Sequence, residues 1–293
     1  MTDLIVVIGD TMTDVVAHVP HEPVAGSDTP AHIEYRGGGS AANVAAWLAE
    51  LGGDVALISR VGADALGDAA ERALDANGVT TWLARDRDAA TGTCIVLVGT
   101  DGERTMLPDP GANDRLSPAD LPVSAWATGR HLHLSGYALL REGSRAAAVM
   151  ALERAAEHGM TASVDASSAA PLEAVGGETF LGWVTGVGVC FANLDEARVL
   201  TGEADPQRAA EALAARFPIA IVKAGSRGAF ACAGLEAWHA PATEADAVDT
   251  TGAGDAFAAA FLLRWRAGAP VADALAFAAD ISARAVGRVG GRP

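Results

Sequence analysis

The sequence predicts an α/β fold with a doubly wound, mostly parallel sheet, helices on both faces and a small added β lid. Three observations support this prediction. The chain begins with a fully apolar strand, strands and helices alternate through its middle, and two segments in its N-terminal half resemble β-hairpins. The length of 293 residues suits a single domain that spans residues 1–293.

The core elements follow from apolar periodicity and from turn residues. The first strand, Leu4–Ile8, ends at Gly9, and the helix Ala41–Leu51 has apolar residues at helical spacing until Gly52 stops it. The later core elements, in chain order, are predicted as strand Val55–Ser59, helix Asp68–Asn77, a helix that starts at Ser117-Pro118, strand His131–Ser135, helix Ser144–His158, strands Thr161–Asp165 and Val189–Ala192, helices Leu194–Leu200 and Gln207–Arg216, strand Ile219–Val222, the hairpin Ala229–Ala233 with Glu236–Ala240, and helices Ala253–Ala267 and Val271–Val286.

Two inserts, at about residues 12–37 and 91–112, form the predicted lid. The first contains short strands at Val15–Val19 and Ala31–Tyr35. The second contains Thr93–Val98 and Arg104–Leu107 around an Asp-Gly turn, which is a strong hairpin signal. Both inserts follow N-terminal strands of the core. Because ligands bind at the carboxyl ends of strands in such sheets, we expect the inserts to close over a ligand and exclude water.

The composition limits the partners and the compartment. Hydrophobic residues make up 50% of the chain and aromatic residues 5%, while 21 basic and 37 acidic residues give a net charge of −16, which argues against nucleic acid and anionic membranes as partners. The three cysteines are widely spaced and show no metal-binding pattern, as in a reducing cytosol. The longest uncharged stretch, residues 179–194, is shorter than the roughly 18 residues of a membrane span. We therefore predict a cytoplasmic protein.

The most informative motif is the glycine-rich turn Asp249–Asp255 ahead of the predicted helix Ala253–Ala267. The amides of Gly252, Ala253 and Gly254 would lie at the positive end of that helix, which is a ready anion site. Asp255, in the first turn, would repel a bound anion, so its position suits a base that takes a proton from an attacking nucleophile. Phosphoryl transfer requires this combination.

Two further motifs lie near the N-terminus and suit a polyhydroxylated ligand. Gly38 and Gly39 allow close backbone approach, and Asn43 follows them in the first turn of a helix. Asp14, beyond the first strand, could accept hydrogen bonds from two neighbouring hydroxyls, as in a sugar. Judged alone, these residues also fit a flexible hinge and a solvated loop carboxylate.

Two motifs follow buried strands in the C-terminal half. Asn193 and Glu196 are three residues apart at a helix start, where a carboxylate and an amide near phosphates can organise the waters of Mg²⁺. Lys223, Gly225 and Gly228 follow the strand Ile219–Val222, and glycines there admit a nucleotide. A helix-capping pair and a plain turn are the respective structural alternatives.

Taken together, these motifs resemble the ribokinase-like (PfkB) carbohydrate kinase family over nearly the whole chain. The segments Gly38–Val79 and Asp249–Phe261 are similar to its N-terminal and C-terminal signatures, and Asn193-x-x-Glu196 is similar to its Mg-linked motif. The resemblance implies ATP and Mg²⁺ as cofactors, ATP-dependent phosphorylation of a sugar hydroxymethyl group, and a homodimer built through the β lid.

The resemblance also implies a role for each motif. Asp255 is the base, and Gly252, Ala253 and Gly254 form the anion hole. The sugar is held by Asp14, Gly38, Gly39 and Asn43, and the nucleotide with its metal by Asn193, Glu196, Lys223, Gly225 and Gly228. Glu196 holds Mg²⁺ through water, and Asp249 with the Thr251 carbonyl binds a monovalent cation such as K⁺.

The acceptor is less well defined. Gly111-Ala112-Asn113 is similar to a ribokinase segment, but Ser40 stands where ribokinases usually carry Lys, and Ser135-Gly136-Tyr137 lacks their Glu. Kinases of 2-keto-3-deoxygluconate tend to carry an aromatic-Arg cluster where this chain has only Arg104. Nucleoside kinases need aromatic stacking, which Tyr35 and Tyr137 could supply. A nucleoside kinase, a 2-keto-3-deoxygluconate kinase and a non-catalytic sugar- or nucleotide-sensing protein remain the alternatives.

Overall fold

The computed structural model describes residues 4–99, 104–246 and 248–293. The predicted Asp-Gly turn at residues 101–102 lies outside the described residues. The described strands are β1 Ile5–Ile8, β2 Met12–His18, β3 His32–Gly38, β4 Val55–Gly62, β5 Thr80–Asp86, β6 Gly92–Val98, β7 Arg104–Asp109, β8 His131–Ser135, β9 Thr161–Asp165, β10 Val189–Asn193, β11 Ile219–Lys223, β12 Ala229–Ala233 and β13 Glu236–Ala240. The α-helices are α1 Ser40–Glu50, α2 Ala65–Ala76, α3 Tyr137–Leu140, α4 Glu142–Glu157, α5 Ala169–Val175, α6 Gly177–Trp183, α7 Leu194–Thr201, α8 Pro206–Ala214, α9 Ala253–Arg266 and α10 Val271–Val286.

The central sheet has nine strands in the order β13-β12-β11-β10-β9-β8-β1-β4-β5. The seven strands from β11 to β5 pair in parallel, and the hairpin β12–β13 adds two antiparallel strands at one edge. Parallel strands place their carboxyl ends along one edge of the sheet, so the loops after β1, β9, β10 and β11 meet there. This confirms the predicted doubly wound, mostly parallel fold.

Helices cover both faces of the sheet, and each face has its own apolar core. Along β1, Val6 and Ile8 pack into the core under α4 and α7, while Ile5 and Val7 pack into the core under α1 and α9. The alternation follows from the two-residue period of a strand. Alanines dominate α1 and α9, so these two helices approach closely and bring their N-termini together beside the loop after β1.

A second sheet of four strands, in the order β3-β2-β6-β7, stands apart from the central sheet. We call it the small sheet. It is built from residues 12–38 and 92–109. Its strands β2 and β6 pair in parallel, and the outer pairs are antiparallel. The last residues of β3 lead directly into α1, so the small sheet lies beside the N-terminus of that helix.

The structure differs from the predicted elements in several places, and the short helix α3 is one element that was not predicted. The helix predicted at Ser117-Pro118 is only a 3₁₀ turn, Pro118–Asp120, which Ser117 and Asp120 close as a capping box. The edge strand β5 was not predicted because most of its residues are half-buried and it has no long apolar run. Helices α5 and α6 were not predicted either, because glycines at positions 176 and 177 break their apolar period.

Within the described ranges, none of the helices has the length and apolar character needed to cross a bilayer.

Candidate functional site

The glycine-rich turn forms the N-terminus of α9. Gly252 caps α9 with φ of 72°, a left-handed conformation that favours glycine, and a Cβ there would lie 2.5 Å from Gly291 Cα. The amides of Ala253 and Gly254 follow in the first turn. The Ala253 amide makes a long bond, 3.3 Å, to the Thr250 carbonyl. The positive end of a 14-residue helix therefore opens onto the site.

Asp255 projects from this first turn toward the N-terminus of α1. Ser40 Oγ donates to Asp255 Oδ1 at 2.8 Å, and Asn43 Nδ2 donates to Asp255 Oδ2 at 2.9 Å. Burial raises the pKa of Asp255 to about 7, although both hydrogen bonds oppose that rise. A carboxylate that titrates near neutral pH and is held from both sides is well suited to accept a proton. The structure thus brings the two glycine motifs of the sequence together.

Lys223 lies between Asp165 and the glycine-rich turn. Its Nζ donates to Asp165 Oδ2 at 2.6 Å, and a Cβ at Gly254 would lie 3.0 Å from that Nζ. Burial alone would lower the pKa of Lys223, but the carboxylates of Asp165 and Glu196 outweigh it and raise the pKa. Lys223 therefore remains a cation beside the amides of the turn.

Asn193 and Glu196 form a capping box at the start of α7. Asn193 Oδ1 accepts from the Glu196 amide at 2.9 Å, while the Asn193 amide and Nδ2 donate to the Glu196 carboxylate at 2.7 and 2.6 Å. Asn193 and Glu196 therefore form the helix-capping pair that the sequence analysis named as the structural alternative. Burial and the charge of Asp165 raise the pKa of Glu196. The two carboxylates of Glu196 and Asp165 fit a hydrated Mg²⁺, because this ion usually keeps several of its waters. Within the described residues, no group of three acidic, His or Cys side chains could surround a metal ion directly.

The predicted nucleotide glycines occupy the turn after β11. Gly225 begins a 3₁₀ turn in open space, so its predicted approach to a nucleotide is not blocked. Gly228 is required by the local backbone packing, because a Cβ at this position would overlap the Ala240 carbonyl.

The predicted sugar-binding residues lie where β2 and the end of β3 meet the start of α1. Asp14 is buried beneath Gly38, and a side chain at Gly38 would collide with its carboxylate. Gly39 has φ of 90° and contacts the Asp10 carbonyl, where a Cβ would lie at 2.6 Å. Burial raises the pKa of Asp14 to about 6 against the lowering charge of Arg292. We call this polar group of residues the pocket, and Asn43 connects it to Asp255 through a hydrogen bond of 2.9 Å.

Arg292 was not predicted, and it reaches the same pocket from beyond α10. Its Nη2 donates to the Gly38 carbonyl at 2.7 Å and its Nε to Asn43 Oδ1 at 3.4 Å. Burial lowers the pKa of Arg292 to about 10, so it stays protonated at neutral pH. No carboxylate of the described residues forms an ion pair with it. Arg292 and Asn43 are 249 residues apart in the chain, so no local sequence pattern could predict their contact.

Asp165 and Asp10 are also parts of the site that the sequence reading did not assign. Asp165 ends β9, and Asp10 follows β1, where it accepts from the Ser40 and Ala41 amides at 3.2 and 3.4 Å. The rule that parallel strands present ligand groups at their carboxyl ends could have found Asp165.

The predicted ligands of a monovalent cation are the Asp249 carboxylate and the Thr251 carbonyl, and a side chain engages that carboxylate and the hydroxyl group of Thr251. Arg104, the first residue of β7, forms an ion pair with Asp249 and donates to Thr251 Oγ1 at 3.0 Å. The residues present therefore do not fit a bound K⁺ at this position.

Three residues that the sequence analysis considered in relation to the acceptor lie in different parts of the structure. Asn113 fastens the loop after β1, since it accepts from the Thr11 amide and donates to the Thr11 carbonyl at 2.9 Å each. Tyr137 lies near Asp10 and Asp255, whose charges help burial raise its pKa to about 12. Tyr35 is 70% exposed on the small sheet.

Comparison with known proteins finds a family and relatives for this chain. The model of the pfkB family carbohydrate kinases matches residues 2–293. The chain is 34% identical over 225 residues to a fructokinase of Escherichia coli, covering 73% of this chain and 72% of the relative. It is 33% identical over 288 residues to an ATP-dependent ribose-1-phosphate kinase of Halopiger xanaduensis, covering 97% and 92%.

The similarity extends to solved structures. The crystal structure of an adenosine kinase from Sinorhizobium meliloti superposes with a TM-score of 0.90 at 27% identity, covering 100% of this chain and 96% of that one. The family match, the identity to the ribose-1-phosphate kinase and the shared fold all concern nearly the full length. The protein therefore belongs to the pfkB family of carbohydrate kinases and is a phosphotransferase that acts on a sugar or nucleoside.

Proposed function

We propose that the enzyme transfers the γ-phosphoryl group of ATP to a hydroxymethyl group of a sugar. The observation that carries this proposal is the placement of Asp255. Its carboxylate lies in the first turn of α9 and is held by Ser40 and Asn43, and Lys223 lies beside the neighbouring Gly254. A base, a cation and helix-terminal amides converge there, as phosphoryl transfer requires.

The chain's own residues divide the work of the reaction. Bound ATP with Mg²⁺ would supply the phosphoryl group and neutralise part of its charge. Asp14 and Asn43 orient the acceptor, and Asp255 accepts the proton of its hydroxyl group. The Gly254 amide and the Lys223 ammonium stabilise the negative charge that develops on the transferred group. Glu196 and Asp165 would hold the waters of Mg²⁺, and the small sheet excludes bulk water.

A second candidate acceptor class is a sugar that already carries an anionic group. Arg292 favours this class, because it brings a protonated guanidinium into the acceptor pocket beside Gly38 and Asn43. The relative from Halopiger xanaduensis, whose named substrate is a sugar phosphate, supports it over 97% of the chain. A guanidinium binds phosphate and carboxylate groups in a bidentate manner that neutral sugars cannot match.

An acceptor panel tests both candidates. Release of ADP would be measured with fructose, ribose, nucleosides, 2-keto-3-deoxygluconate and ribose 1-phosphate. If the acceptor is anionic, Arg292→Gln should raise its KM about 10-fold or more with a smaller change for neutral sugars. An equal change for all acceptors would assign Arg292 to holding Gly38 and Asn43 in place. No ADP above background with any acceptor would favour the sensing protein.

We also propose a homodimer through the small sheet. One row across its outer face consists of Tyr35, Val15, Ile95 and Leu107, which pair with one another strand by strand. Tyr35, Ile95 and Leu107 are 70%, 44% and 54% exposed, and such an apolar row is typical of an interface. A monomeric mass in sedimentation at micromolar concentration would contradict the dimer.

A further inference from the structure

The contacts of Asp249 leave little capacity for a metal ion. Its Oδ1 accepts from the Thr251 amide at 2.6 Å and also from Arg104 Nη1, and its Oδ2 accepts from the Gly290 amide at 2.7 Å. A carboxylate offers about four lone-pair positions, and three are in use. The Asp249 side chain is 6% exposed and that of Arg104 is 17% exposed, so water screens this pair weakly.

The guanidinium of Arg104 contacts the kinds of oxygen that would bind a monovalent cation. Besides the Asp249 carboxylate, it donates from Nη1 to the Thr251 hydroxyl at 3.0 Å and from Nη2 to the Val248 carbonyl at 3.4 Å. The cavity beside the pair, lined by Asp14, Asp249, Gly290 and Arg104 among others, measures about 20 Å³. It has room for about one water molecule, and a second cation there would face the guanidinium.

We propose that the Arg104 guanidinium takes the place of the monovalent cation at Asp249 and Thr251, so that the enzyme works without K⁺. The positive charge then comes from the protein itself, through the first residue of β7 in the small sheet. Because Asp249 begins the turn that leads to α9, the same pair fastens the small sheet to the loop of the anion hole. Arg104 is thus a positioning residue for the turn and not a group that touches the substrate.

The test compares K⁺ with tetramethylammonium at equal ionic strength, for the unmodified enzyme and for Arg104→Ala. We expect turnover and Tm of the unmodified enzyme to be the same in both salts. Arg104→Ala opens the oxygen site, so K⁺ should raise its turnover about 5-fold or more and its Tm by about 2 °C relative to tetramethylammonium. Arg216→Ala is the matched control, since it breaks the exposed pair with Glu178 far from the turn and should respond to neither salt.

Two results would overturn the proposal. One is specific activation or thermal stabilisation of the unmodified enzyme by K⁺. The other is an Arg104→Ala variant that is folded by circular dichroism and responds to K⁺ no more than the unmodified enzyme does. The turnover readings depend on the proposed function, whereas the Tm readings do not. A protein without any kinase activity would therefore contradict the proposed function. The Tm measurements would still show whether Arg104 takes the place of K⁺.

Discussion

Asp255→Asn is expected to lower turnover about 10²-fold or more while acceptor binding stays largely intact. The amide keeps the size of the side chain and an oxygen for Ser40 or Asn43, but it cannot take up the proton of the attacking hydroxyl. Turnover measured by ADP release, with acceptor affinity from calorimetry, gives the two quantities separately. Near-normal turnover of this variant would show that another group is the base.

The pH profile provides an independent check on the same residue. Since the pKa of Asp255 is about 7 and the ionised form is the active one, kcat/KM should fall as pH drops below 7. Ser40→Ala is the matched variant, because it keeps the carboxylate and removes one hydrogen bond that lowers its pKa. The acid limb should then move to higher pH by about one unit. An unchanged limb in Ser40→Ala would assign the titration to a different group.

Lys223→Met is expected to abolish most turnover and to destabilise the fold by about 3 kcal/mol. The Lys223 and Asp165 side chains are 16% and 8% exposed, so removal of the ammonium leaves Asp165 buried without its partner. The loss also removes the cation next to Gly254, where charge develops during transfer. Urea unfolding and ADP release measure the two effects. Arg216→Ala, which breaks an exposed pair, should change stability by less than about 1 kcal/mol.

A second substitution separates the catalytic effect from the structural one. In Lys223→Met with Asp165→Asn, both charges are gone, so most of the lost stability should return. Turnover should stay low, because the positive charge beside Gly254 is not replaced and the Asp165 carboxylate proposed to hold the waters of Mg²⁺ is lost as well. If turnover recovers together with stability, Lys223 acts only as the structural partner of Asp165.

Much of the fold was predictable because its signals are local. The apolar runs of β1 and β11 and the helical spacing of α1 are properties of a few consecutive residues, and the structure confirms them within a few positions. The half-buried strand β5 had no such signal, since its position at the edge of the sheet leaves it without a continuous apolar run.

The sequence by itself determined the glycine turn, its first-turn carboxylate and the strand ends that carry the site, because backbone geometry and helix electrostatics act over a few residues. Only the tertiary structure decided the partners of the charged groups. Arg104 meets Asp249 across 145 residues, Lys223 meets Asp165 across 58, and Arg292 reaches Gly38 across 254. Ion pairs form between groups that folding brings within a few ångströms, and no local spacing in the chain records that distance.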